Sequence, residues 1–445
     1  MNIQLPKGVK RILDKLLFNG YEGYIVGGCV RDSIMGKIPN DWDICTSAKP
    51  EVMMNIFREF KVIPTGLKHG TLTIVINNQH FEVTTYRIDK EYVDGRHPNK
   101  VEFTNSLKED LNRRDFTINA MAYNNKEGLI DYYDGLSDIH NKTIRCVGNA
   151  FDRFNEDYLR MLRAVRFSAQ LEYRLRIETF KAIKKLSKNI IHISKERIRD
   201  EVNKILLSQK PSKGIQLLEE TRLLEYIIPE LQECVGFEQK KPHHDEDVFY
   251  HTMRVLDNTE KDLILRLAAL LHDIAKPQCF SIDRENTGHF YRHHMKGMEL
   301  AEKILKRLKY DNNTIKTVKQ LIKEHMLKYE ITTPRAIKRL INRVGKENID
   351  RLFKLQIADI KGSKAPYKFD NINKAKLVCD KILNEKQPLT LKDLDIDGND
   401  LKALGVSQGK DIGRILNKLL DRVLDNPELN KKEILADEVR KLLKE

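Results

Sequence analysis

Two consecutive glycines, Gly27-Gly28, follow the apolar run Tyr24-Ile25-Val26 and precede Arg31-Asp32 and the acidic pair Asp41-Trp42-Asp43. This order constrains the fold more than any other part of the chain. The apolar run reads as a short buried strand. Paired glycines after it let the backbone turn tightly and present N–H groups to an anion at the start of the next helix. Asp41 and Asp43, two apart in an expected second strand, would point to one face and share a hard cation such as Mg2+. Each part is common alone: Gly-Gly marks many turns, and two aspartates on an edge strand are often merely solvated. Strand, Gly-Gly, helix, strand and D-x-D in that order are much rarer, and together they point to metal-assisted nucleotidyl transfer from a bound triphosphate.

A chain of 445 residues with 40% hydrophobic content is long enough for roughly three domains and more than one core, which excludes a disordered protein. Lys and Arg number 79 against 65 Asp and Glu, a formal charge of +14. That excess suits a polyanion, with nucleic acid the first candidate, although a lysine-rich proteome would produce the same sign. Six cysteines, at 29, 45, 146, 234, 279 and 379, are scattered without a C-x-x-C pair, so neither a zinc ribbon nor a disulfide framework is indicated. The first residues show no basic segment followed by an apolar one, and no apolar run approaches the ~20 residues of a membrane span. A cytoplasmic protein with no membrane contact is expected.

Residues 8–18 read as an amphipathic helix, and strand-like runs follow at 24–26, 42–45, 71–76 and 81–86. Asn77-Asn78-Gln79 reads as a hairpin turn that brings Glu82 beside the aspartates, as a candidate third carboxylate or an outward-facing acid. Beyond about residue 150 helical periods dominate to the C-terminus, with breaks near 209–211, 238–242, 361–367 and 386–388. The fold class is therefore α+β in the first third and helical after it.

Arg113-Arg114-Asp115 heads a run, through Ala122, that reads as a basic-acidic cluster with an apolar helical continuation; its charges would hold phosphate and ribose. Glu156 to Phe167 reads as a helix on which Asp157 and Arg160, three apart, are neighbours. They would make a surface ion pair, or, facing a nucleotide, a template of acceptor beside donor. Cytosine and adenine both carry an exocyclic amine next to a ring-nitrogen acceptor, whereas uracil and guanine offer the reverse. Arg163, one turn on, would support Asp157 or a phosphate.

These motifs, in order, resemble those of class II CCA-adding tRNA nucleotidyltransferases, whose wider family includes bacterial poly(A) polymerases. Gly27-Gly28, Arg31 and Asp32 with Asp41-x-Asp43 resemble the family's catalytic motif, and Arg113-Arg114-Asp115 its ribose motif. Asp134-Gly135-x-x-Asp138-Ile139 resembles its flexing connector, Glu156-Asp157-x-x-Arg160 its amino-acid template, and Arg197 to Glu201 the helix behind it. The resemblance implies a polymerase-β-like head with a small mixed sheet over 1–150, a base-reading helical neck over 151–240, an HD body over 241–365 and a tRNA-binding tail over 366–445, the helical part elongated. It implies Mg2+ on Asp41 and Asp43, with tRNA, CTP and ATP as partners. Tyr86 to Pro98 is similar to the flexible loop of members that add complete CCA, and Lys68-His69-Gly70-Thr71 is closer to the CCA branch than to poly(A) polymerases. Gly405-x-x-x-Gly409-Lys410, before a helix, would contact tRNA phosphates or form an ordinary turn.

His251, His272-Asp273 and Asp359 follow the H...HD...D order of HD phosphohydrolases, with His293, His294 and His325 as extra candidates and His243, His244 and His289 as surface residues or further ones. Imidazole with carboxylate suits a transition metal such as Ni2+ or Mn2+, which lowers the pKa of bound water for phosphoester hydrolysis. Ala275 stands where many relatives have glycine, a difference expected to act on packing. Two alternatives stay open: a poly(A) polymerase, and an HD-type phosphodiesterase as the main activity.

Overall fold

The computed structural model describes residues 2–92, 98–239, 247–326, 333–385, 387–407 and 409–443, with the backbone alone at 89–92 and 98–100. The chain divides into two compact units, Met1–Pro229 and Glu230–Glu445.

In the first unit an amphipathic helix, Lys7–Phe18, buries Val9, Ile12, Leu13 and Leu16, the spacing of one helical face. Strand β1 (Gly23–Val26) is buried along its whole length, as a central strand with both faces covered must be. In chain order follow β2 (Asp43–Thr46), β3 (Lys61–Gly66), β4 (Thr71–Ile76), β5 (Gln79–Thr85), β6 (Arg87–Tyr92), β7 (Pro98–Phe103), β8 (Ala122–Asn124) and β9 (Gly128–Ile130). Seven of them make a mixed sheet in the order β3-β4-β5-β2-β1-β8-β9, in which β2 and β5 run parallel; β6 and β7 form a separate hairpin. The expected turn at Asn77-Asn78 is present, with φ of 49° and 60°, the left-handed pair that joins twisted antiparallel strands in two residues.

Tyr24, Val26, Cys45, Tyr86, Leu107, Leu111 and Ala122 form a buried cluster. Side chains such as Tyr86 and Leu111 contribute about 1.5–3 kcal/mol each by leaving water. This core seats the helix Leu107–Asn112, capped by the Ser106 hydroxyl, which accepts from Glu109 N–H. The C-terminal end of that helix delivers Arg113 and Arg114 to the site below. Helices 150–156, 159–171, 177–186, 195–206 and 211–220 complete the unit, with one two-residue parallel pairing, Thr143–Ile144 with Arg174–Leu175.

Four expectations are corrected. Strand β2 begins at Asp43, so Asp41 lies ahead of it in irregular chain instead of on the same strand. Arg113-Arg114-Asp115 follows a helix that ends at Asn112; after it come extended backbone at Phe116, a 3-10 turn at Thr117–Asn119 and then β8. The helix expected from Glu156 onward is two helices, Ala150–Glu156 and Leu159–Leu171. Asp157 sits between them, extended at φ −144°, its Oδ1 accepting from Leu159 N–H at 2.9 Å and so competing with a continuous helix. Within the expected loop at 86–98, Arg87–Tyr92 is a strand, while residues 93–97, with Asp94 and Gly95, lie outside the described residues.

Among the described residues the second unit is helical apart from the hairpin Phe280–Ile282 with Gly288–Phe290 and the isolated antiparallel bridge of Glu238 with Asp247. The apolar helix Leu263–Leu271 is capped by the Asp262 carboxylate, which accepts from Leu265 N–H. Asp262 also takes Arg351 Nε and Nη2 at 3.0 and 2.8 Å, which ties this helix to Ile349–Gly362. Helices Val248–Asp257 and Asn312–Glu324 pack on the same pair. All six cysteines are free thiols. Among the described residues no helix is long and apolar enough to cross a membrane.

Candidate functional site

A cavity of about 400 Å³ in the first unit is lined by Gly27, Gly28, Arg31, Asp43, Arg113, Arg114, Asp115, Asn119, Asp157, Arg160, Arg163, Phe167 and Arg197, among others. Six arginines face three aspartates, a cationic wall that suits an anion of nucleotide size. Of the residues expected there, Asp32, Asp41 and Glu82 do not line it. Asp32 instead holds Arg31, accepting Nε at 2.9 Å and pairing with Nη2 at 2.8 Å, while Arg31 Nη1 donates to Asn119 Oδ1 at 2.7 Å. Glu82 is the in-register partner of Asp43 across the parallel β2/β5 pair.

Asp43 opens to solvent at the end of β2. Burial against the cavity wall nevertheless pushes its carboxyl above the ordinary value; Arg114 opposes the rise, and Glu82 and Asp41 add to it. A carboxyl raised in part by two neighbouring carboxylates fits a divalent cation, which would relieve the repulsion. Gly27, at φ 77°, is where the chain comes closest: a Cβ there would stand 3.2 Å from Arg114 Nη1 and 3.9 Å from Asp43 Oδ2.

The arginines are held from behind. Asp110, wholly buried, accepts Arg113 Nε and Nη2 at 2.9 and 2.7 Å and Arg114 Nη2 at 3.3 Å. Burial would raise its pKa, but Arg113 and Arg114 outweigh that and hold it below the usual carboxylate range. Asp115 takes Arg163 Nε at 2.7 Å and Phe116 N–H at 2.8 Å; burial again works upward and Arg163 and Arg160 win, leaving it low. The Phe167 ring has the guanidinium carbons of Arg166, Arg31 and Arg163 at 4.1, 5.2 and 5.6 Å, cation–π distances that keep like charges apart around one face-rich neighbour.

Asp157 Oδ2 accepts from Arg197 Nη2 at 3.0 Å, while Arg160 pairs with Glu156 and donates to Arg113 O at 3.0 Å. Arg163, expected to support Asp157 or a phosphate, hydrogen-bonds Asp115 with the Asp157 charge still acting on it, and Arg197 supplies the hydrogen bond to Asp157. Among the described residues the buried Arg114 Nε and Arg197 Nη1 have no hydrogen-bond partner. Asp110, Asn119, Phe167 and the contact of Arg197 escaped the sequence reading. The one local signal was the spacing of Asp110, three and four residues before the arginine pair.

In the second unit His251, His272, Asp273 and Asp359 meet, with His293 and His325 beside them, all but Asp359 buried. Among the described residues, the groups whose ligand atoms lie within 4.8 Å of one another are His251, His272, Asp273 and Asp273, His293, His325. Buried His272 Nε2 and His293 Nε2 face the Asp273 carboxylate at 3.1 and 3.3 Å, and imidazole with carboxylate is a donor set for a first-row transition metal. His289 lies apart, bonded to Asp283 at 2.7 Å; His294 lines a neighbouring cavity; His243 and His244 lie outside the described residues. Ala275 is fully buried, and a Cβ on Gly297 would stand 3.9 Å from its methyl, a packing contact.

Residues 23–145 match the family described as "Poly A polymerase head domain", 172–234 "Probable RNA and SrmB- binding site of polymerase A", and 244–361 "HD domain". Fold and site together define a nucleotidyltransferase that carries an HD domain. The chain is 36% identical over 441 residues to the CCA-adding enzyme of Ligilactobacillus salivarius, covering 98% of this chain and 96% of that one. It belongs to the family of CCA-adding enzymes, which are tRNA nucleotidyltransferases. A stretch of 216 residues is 48% identical to the CCA-adding enzyme of Oceanobacillus iheyensis, 48% of this chain and 54% of that one. Among solved structures, the Bacillus stearothermophilus CCA-adding enzyme in complex with CTP superposes with a TM-score of 0.74 at 27% identity, covering 99% of this chain and 98% of that one.

Proposed function

We propose that the cavity of the first unit binds CTP and then ATP and joins C, C and A to the 3′ end of tRNA without a nucleic-acid template. The observation that carries this is the meeting of Asp43 with Asp157, Arg160 and Arg163 in one cavity of about 400 Å³. Arg31, Arg113 and Arg114 neutralise the triphosphate. Asp115, locked to Arg163, holds the ribose. Asp157 accepts the exocyclic amine of cytosine or adenine and Arg160 donates to the adjacent ring nitrogen; Arg197 fixes the Asp157 carboxylate for that contact.

Asp41 and Asp43, with Glu82 beside them, would hold Mg2+. When bound it supplies the charge that lowers the pKa of the attacking 3′-hydroxyl and neutralises the departing pyrophosphate. The hydroxyl oxygen bonds to the α-phosphorus, the α–β P–O bond breaks, and the hydroxyl proton goes to solvent. Free thiols and the tRNA substrate suit a cytoplasmic setting.

The deciding assay offers tRNA lacking its tail with Mg2+ and CTP, ATP, UTP or GTP, singly and combined. Addition stopping after two C without ATP, and after one A with it, supports the reading; long A tracts would instead make this a poly(A) polymerase. Asp41→Ala is expected to abolish addition. The histidine cluster favours a second activity, metal-dependent phosphoester hydrolysis at His251, His272, Asp273 and Asp359. Its test is Ni2+- or Mn2+-dependent cleavage of a 2′,3′-cyclic nucleotide, which Asp273→Ala should remove.

A further inference from the structure

The ribose is assigned to Asp115, yet that carboxylate has no acceptor site left. An ionised carboxylate offers about four. Oδ2 takes Arg163 Nε at 2.7 Å and Arg163 Nη2 at 2.6 Å, while Oδ1 takes Phe116 N–H at 2.8 Å and Asn119 Nδ2 at 3.4 Å. A sugar hydroxyl that donates to Asp115 must displace one of these donors. The arginine contacts are short and charge-assisted, and the Phe116 donor belongs to the backbone and moves only with the chain. The Asn119 amide, beyond the usual N–H···O range, is the one that yields.

Asn119 is buried and lines the nucleotide cavity. Its amide can point only one way. Arg31 Nη1 donates to Oδ1 at 2.7 Å, and because a guanidinium never accepts, Nδ2 is the atom that faces Asp115. Nδ2 carries two hydrogens and has one partner among the described residues. The backbone beneath is firmly tied: Asn119 N–H donates to Phe116 O at 2.9 Å, and Thr117 Oγ1, in the same 3-10 turn, donates to Asp138 Oδ2 at 2.6 Å.

A purely structural bridge between Arg31 and Asp115 would be redundant. Asp32 already holds Arg31 at Nε and Nη2, 2.9 and 2.8 Å away, and Arg163 already holds Asp115 with two nitrogens. Neither residue needs the amide to stay in place.

We propose that Asn119 selects the sugar of the incoming nucleotide. The 2′-hydroxyl takes the place of the amide on Asp115 Oδ1, donates there, and accepts from Asn119 Nδ2, so that every donor and acceptor keeps a partner. The 2′ position is the one that matters, because an enzyme that extends tRNA must tell ribonucleotides from deoxyribonucleotides, and they differ only at that group. A deoxynucleotide leaves the amide where it is and gains neither bond. This rests on the reading of the cavity as the nucleotide site and goes beyond it, since Asn119 lies outside the Arg113-Arg114-Asp115 motif. Because Oδ1 of the same amide is held by Arg31, the arginine that meets the triphosphate also sets the group that reads the sugar.

The test measures kcat/KM for CTP, 2′-deoxy-CTP and 3′-deoxy-CTP on tRNA lacking its tail, with the parent, Asn119→Ala and the similarly sized Asn119→Leu, all shown folded by circular dichroism. Both variants are expected to lose about tenfold or more for CTP and as much for 3′-deoxy-CTP, which keeps the 2′-hydroxyl. The value for 2′-deoxy-CTP should change far less, so the preference for ribose collapses. Parallel losses for CTP and 2′-deoxy-CTP overturn the proposal and leave Asn119 a structural bridge, as does a parent with no preference between them. A parent that adds no C from CTP fails the nucleotide reading itself, and the proposal with it.

Discussion

At the scale of single residues, Gly27 is the tightest point of the proposed nucleotide site. Alanine there would face both a positive φ and a guanidinium at 3.2 Å. Gly27→Ala is expected to cost about 1–3 kcal/mol in backbone strain and, by displacing Arg114, to lower kcat/KM for CTP at least about tenfold with the circular dichroism unchanged. Asp157→Ala is expected to relax base choice, read as U or G incorporated by tailless tRNA; retained selectivity would remove the template. Arg197→Met should act in the same direction, since it frees the Asp157 carboxylate. Asp157 and Arg160 stood out because acceptor and donor lie three apart, and the structure has both lining one cavity. The partner of Asp157 was not legible: Arg197 is 40 positions away, just as Arg163 is 48 from Asp115, and no local pattern encodes such contacts.

At the scale of elements, the helix Leu107–Asn112 acts as a bracket. Its buried Asp110 holds Arg113 and Arg114 from below, and removing one partner of such a network strands the others. Asp110→Asn is expected to destabilise the protein by about 3–5 kcal/mol, measured by denaturant unfolding. The acid dependence follows from the depressed pKa values of Asp110 and Asp115. A carboxylate held low stabilises the fold above its unfolded pKa of about 4 and loses that contribution as pH falls through the folded value. Thermal stability should therefore fall steeply below about pH 4, and Asp110→Asn should flatten that fall. Strands β1, β2, β4 and β5 were read, the last two because apolar alternation and the Asn-Asn turn mark them directly, whereas β3 and β6 to β9 were not. The helices around Asp157 were misjudged, because a carboxylate that bonds its own backbone two residues on ends a helix that periodicity alone would continue.

At the scale of the whole molecule, the excess of positive charge makes tRNA binding salt-dependent. If roughly 6–10 phosphates are contacted, affinity should drop by about three to five orders of magnitude between 50 and 200 mM salt, as read by filter binding with tailless tRNA. The change from mixed sheet to helix near residue 150 was visible in periodicity, and the histidine cluster in its order, because both repeat a local rule. The sheet register carries one more consequence. Asp43 meets Glu82 only because β5 enters from a two-residue turn at Asn77-Asn78 and aligns with both β4 and β2. A strand shifted by one residue turns every side chain to the opposite face. A single insertion between Ile76 and Gln79, harmless in composition and outside the nucleotide cavity, would rotate Glu82 away from Asp43. Length in that hairpin should therefore matter as much as the acids proposed to hold the cation, and an inserted residue there is expected to lower nucleotide addition where a substitution does not.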